Sequence, residues 1–75
     1  MTYHELVEKY GHISAIPKDL MTEEICLAAV EENAYSIRYV HNQTEAICLA
    51  AVKRNGDSIQ YIKADLVEKY GLKKA

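Results

Sequence analysis

Tryptophan and phenylalanine are absent from these 75 residues, proline occurs once, glycine three times and cysteine twice. Two cysteines without a secretory context read as reduced thiols in a cytoplasmic compartment, and neither has a CxxC neighbour that would suggest redox work. The polar, acidic start MTYHELVEKYG has no secretory-signal character. No apolar run approaches the roughly eighteen residues of a membrane-spanning helix, so no membrane partner is expected. The three histidines, His4, His12 and His41, show no HxxH or HExxH spacing, and no cysteine lies three or four residues from one. No metal site and no cofactor are therefore expected. Gly11, Gly56 and Gly71 stand alone as helix terminators and form no phosphate-cradling loop. The adjacent acids Glu23–Glu24 and Glu31–Glu32 diverge by about a hundred degrees on a helix, so neither pair converges on one proton. No catalytic constellation emerges, and the expectation is a protein that is not an enzyme.

What is present is an ordinary soluble balance, 49% apolar and 27% charged residues, in a chain long enough for one domain. A chain this small buries only about 60% of its unfolded surface, which leaves a thin stability margin. Six tyrosines supply all of the aromatic mass. The net charge of −2 conceals a polarity: residues 1–48 carry −5 and residues 49–75 carry +3. Such a module can steer a partner electrostatically or stack head to tail.

The dominant signal is internal repetition. TEEICLAAVEENAYSIRYV, from Thr22, and TEAICLAAVKRNGDSIQYI, from Thr44, match at twelve of nineteen positions, twenty-two residues apart. Thr22 and Thr44 suit the helix N-cap, and the glutamates that follow complement the helix dipole. ICLAAV then propagates a helix, and Asn33, or Asn55 with Gly56, suits a left-handed cap at its end. A second, shorter helix follows in each unit, at YSIRYV and DSIQYI. A helix apolar around nearly its whole circumference must be covered on more than one side. Small Ala28, Ala29, Ala50 and Ala51 permit a neighbouring unit to approach and do so.

LVEKYG occurs at Leu6–Gly11 and again at Leu66–Gly71, so both ends read as partial copies. Thr2 with Glu5, and Asp65 with Glu68, have the spacing of a capping box. The second helix of the first copy, around Ile13–Ile16, must stop before Pro17. Residues 57–71 suit either one continuous helix, with Ile59, Ile62, Leu66 and Tyr70 on one stripe, or two helices broken at Asp65, the reading preferred here. The fold class is all-α: a single domain of five to seven short helices in stacked hairpins. Its units are a partial copy at 2–21, repeats at 22–43 and 44–62, and a terminal partial copy at 63–75.

The pattern TEEICLAAVxxNxxxIxYV resembles a short helical repeat classed as a domain of unknown function, which occurs in tandem in proteins of bacteria, large DNA viruses and protists. The resemblance implies stacked helical hairpins and brings no catalytic residues. A miniature of this type is also similar to small phage proteins that bind and disable host machinery. The expected function is accordingly non-catalytic binding of another protein, in its sharper form inhibition of a host (bacterial defence) protein. The rival expectations are a self-assembling module, such as a homodimer, and a nucleic-acid accessory protein. The basic set Lys53, Arg54, Lys63, Lys69, Lys73 and Lys74 is sparse for nucleic acid in a net-acidic chain. Cys26 and Cys48 are expected to be buried small hydrophobes. Exposed tyrosines make effective interface anchors, because a large amphipathic ring is ordered at low entropic cost. The candidate partner-binding residues are Tyr3, Tyr10, Tyr35, Arg38 and Tyr39, with Glu31 and Glu32. Tyr39 and Tyr61 are repeat-equivalent and suit the seam between units. Tyr35, replaced by Asp57 in the other repeat, is freer to serve binding.

Overall fold

The computed structural model describes residues 1–73, so the Lys74 part of the basic set lies outside the described residues. The fold is all-α, as expected, with no strand among the described residues. Four α-helices, α1 (Tyr3–Tyr10), α2 (Glu23–Glu32), α3 (Glu45–Arg54) and α4 (Ala64–Lys69), alternate with 3-10 helices. No helix among them is long and apolar enough to cross a membrane.

Local chemistry sets most of the boundaries. At α1 the capping box forms: Thr2 Oγ1 accepts from the Glu5 backbone N–H at 3.3 Å, and the Glu5 carboxylate accepts from the Thr2 N–H at 2.8 Å. That second bond holds the Glu5 carboxyl below its usual range. Gly11 ends the helix at φ +89°, where a side chain would be strained. Thr22 and Thr44 cap α2 and α3 through the amides of Ile25 and Ile47.

The asparagines depart from expectation. Asn33 and Asn55 have φ of −148° and −157°, extended rather than left-handed. Each turns its side chain forward instead, accepting at 3.0 Å from the amide two residues on, Tyr35 or Asp57. The asparagine therefore opens the next segment, and Gly56 begins that segment rather than terminating α3. Those segments are 3-10 helices, Ala34–Tyr39 and Gly56–Tyr61. At three residues per turn, positions three apart eclipse. Ala34, Ile37 and Val40 accordingly form a buried stripe, and Tyr35, Arg38 and His41 an exposed one.

In the first copy the 3-10 helix Ile13–Ala15 stops before Pro17, as proline sterics require. The C-terminal stretch is broken as expected, but at Ile62–Lys63 rather than Asp65. Lys63 O accepts from the amides of Leu66 and Val67, which starts α4 at Ala64. Asp65 thus falls inside the first turn, and the box expected of Asp65 and Glu68 does not form. Gly71, at φ +63°, turns Leu72 back into the core.

α2 packs against both α1 and α3. Its neighbouring residues divide between two apolar clusters: Ile25 and Ala29 join Leu6, Ile13 and Ile16, whereas Cys26 and Val30 join Ile37, Ile47, Cys48 and Ala51. An all-round apolar hexapeptide is what such a two-sided position demands. Gln43, buried just before the α3 cap, fastens the two 3-10 segments. Its Nε2 donates to Ile37 O at 3.2 Å and Tyr61 O at 3.1 Å, and its Oε1 accepts from Lys63 N–H at 3.0 Å.

Candidate functional site

The 3-10 geometry that buries Ile37 also lifts Tyr35 and Arg38 onto the opposite, solvent-facing stripe. Arg38, on Ala34–Tyr39, then reaches to Gly56–Tyr61. Its guanidinium carbon sits 5.4 Å from the ring centre of Tyr39 and 5.4 Å from that of Tyr61. Both distances fall within cation–π range. The rings are themselves held. His12 meets Tyr39 edge-on at 5.3 Å, and Tyr35 meets Tyr61 edge-on at 5.6 Å. The Tyr35 hydroxyl accepts from Asn55 Nδ2 at 3.3 Å. A continuous ridge results, His12–Tyr39–Arg38–Tyr61–Tyr35, drawn from the two 3-10 segments Ala34–Tyr39 and Gly56–Tyr61 and from the turn that precedes Ile13–Ala15.

On one side of this ridge lies a cleft of about 410 Å³, lined by Tyr3, Glu32, Tyr35, Arg38 and Tyr39 together with Val7, His12, Ile13, Asn33 and Ser36. A smaller hollow of about 220 Å³ shares Arg38 and Tyr39 with it, where they are joined by Ser14 and His41. Burial raises the Tyr3 phenol above its ordinary value, against the Ser36 hydroxyl, which favours the phenolate, and with the Glu32 charge adding to the rise. Glu32 is engaged by His4 Nε2 at 2.7 Å, an exposed pair of small energetic weight. His12 Nδ1 accepts from the Ser14 amide at 3.1 Å, so a neutral ring carries its proton on Nε2.

Five of the seven candidate residues thus share one cleft. The other two do not. Glu31 lines a separate open hollow with Ala50, Lys53 and Arg54. Tyr10 packs half-buried on the N-terminal cluster with Lys9 over its ring at 5.4 Å. Tyr61 enters the site from the seam through Arg38. His12 and Asn55 were not singled out from the sequence as site residues. Asn55 could have been, because its repeat position pairs it with Asn33 and its amide is spared for Tyr35.

Cys26 and Cys48 are buried free thiols whose pKa values burial pushes up, the reverse of what a nucleophile needs. Among the described residues no three histidine, cysteine or carboxylate groups gather to hold a metal.

A family model described as a domain of unknown function (DUF4116) matches residues 22–67. No curated protein and no solved structure matches the chain.

Proposed function

The chain belongs to the DUF4116 family, which prescribes no activity, and from that footing we propose that it is a non-catalytic protein-binding module working through the Tyr35–Arg38–Tyr39 face. The observation that carries this reading is the exposed Arg38 guanidinium held at 5.4 Å from two tyrosine rings beside a cleft. Tyrosine and arginine dominate the energetics of protein interfaces. Ordering them in the free protein removes part of the entropic cost of association. In its sharper form, the partner is a host protein that a phage- or virus-derived chain occupies and disables.

The test is retention from lysates of candidate bacterial hosts by the immobilised chain, run beside Tyr39→Ala and Arg38→Ala variants of unchanged circular dichroism. A stoichiometric partner held by the parent and lost by the variants supports the reading. A partner held equally by all three removes this face, and no partner from any host removes the proposal.

Self-association is favoured by a different observation. Leu27 on α2 is half-buried against the C-terminal cluster, while its repeat counterpart Leu49 on α3 is 49% exposed. A second copy docking there, with the basic half of one chain against the acidic half of the next, would cover it. Sedimentation across concentration and salt decides: a monomer at every concentration ends this reading.

A further inference from the structure

We infer that Arg38 is a carboxylate-binding anchor, so that the partner accepted by this face presents an aspartate or glutamate side chain between the rings of Tyr35 and Tyr39. The inference rests on the binding-module reading above and adds the chemistry of the partner.

Three observations converge on it. First, no carboxylate among the described residues lies within ion-pair distance of the Arg38 guanidinium, although the chain is net acidic. Second, the surroundings are cleared of competing acids. Glu32 is the one acid lining the larger cleft and is already engaged by His4 at 2.7 Å, while the smaller hollow has no acidic residue and includes His41. A local cationic point therefore stands within the acidic part of the chain, residues 1–48, which carry −5. Third, the guanidinium is positioned before any partner arrives. Tyr39 and Tyr61 flank it, and His12 and Tyr35 brace those rings from outside.

Ring contacts of this kind engage the guanidinium through its π system and leave N–H donors at its edge available. A planar fork with free edge donors matches a carboxylate or a phosphate by two parallel hydrogen bonds. The two anions are separated by the rest of the molecule. Polyphosphate chains are bound by many cations acting together. This face offers one arginine and two exposed histidines on a chain of charge −2. A single carboxylate on a protein surface, with apolar and aromatic contacts around it, is the matching ligand.

The full-length ¹⁵N-labelled chain is titrated at low salt with the capped tripeptide Leu-Glu-Leu, with its Leu-Gln-Leu twin and with inorganic phosphate. The Glu peptide is expected to shift the Arg38 Nε–H resonance and the amides of Tyr35, Arg38 and Tyr39 saturably, and the Gln twin to leave them in place. Arg38→Gln is expected to abolish the response with amide dispersion intact. Arg38→Lys, which keeps the charge and loses the fork, is expected to weaken it about tenfold. Equal shifts from the Gln twin, an unmoved Arg38 Nε–H, or tighter binding of phosphate than of the Glu peptide would each overturn the inference. If the Glu peptide fails while the parent chain still retains a partner that Tyr39→Ala loses, the carboxylate assignment falls and the binding-module reading stands.

Discussion

Gln43 satisfies two carbonyls and an amide from both sides of a seam with one neutral side chain. Truncation in Gln43→Ala removes the side-chain partner of Tyr61 O and Lys63 N–H and leaves Ile37 O with the Val40 N–H alone. The expected loss is about 2–3 kcal/mol, read from urea denaturation. Nothing in the sequence flagged this residue. Its repeat counterpart is Met21, whose place before a cap is unremarkable for an apolar residue, and only the folded chain brings Tyr61 and Lys63 within its reach. The cysteines were more legible, because their apolar helical neighbours announced burial. Both thiols have folded pKa values above their unfolded ones, so the folded state keeps protons that the unfolded state loses. The stability this contributes is fully present below the unfolded thiol value of about 8.5 and declines as pH rises from there through the folded values. Melting in alkaline buffers should therefore fall more steeply for the parent than for a Cys26→Ala, Cys48→Ala double variant.

Among the elements, the 3-10 segments decide which side chains reach solvent. Their existence as short helices was readable from the sequence, but their pitch was not. The eclipsed triad Ala34, Ile37 and Val40 carries a period of three, yet six residues are too few to distinguish three from 3.6 without the tertiary contacts that hold them. The asparagines do end α2 and α3 as expected, but not in the left-handed conformation, because each closes one helix through its backbone N–H and opens the next through its side chain. Removing the forward cap in Asn33→Ala or Asn55→Ala should cost about 1 kcal/mol each by chemical denaturation. Because Asn55 also donates to the Tyr35 hydroxyl, its loss should additionally loosen Tyr35, seen as a change in ring resonance that Asn33→Ala does not reproduce. An equal response from both variants would remove Asn55 from the brace of the ridge.

For the molecule as a whole, the duplicated ICLAAV was the legible feature, since its apolar circumference called for neighbours on two sides. The ridge was half legible: Tyr35, Arg38 and Tyr39 stood out, whereas the arrival of His12 and Tyr61 depends on tertiary contacts between segments far apart in sequence. Ala51 has no exposed surface at all, so Ala51→Asp buries a charge where nothing can pair with it. That variant should be unfolded at room temperature by circular dichroism, while Leu49→Asp, at a half-exposed position on the same helix, should fold. Among the described residues, α2 is the one helix that contributes buried side chains to both apolar clusters. Isotope exchange at its amides must then wait for both halves to open, whereas α1 can open and release its own protons first. In heavy water, the last signals to fade should come from the middle of α2, and the chain's resistance to proteolytic nicking should be set there as well.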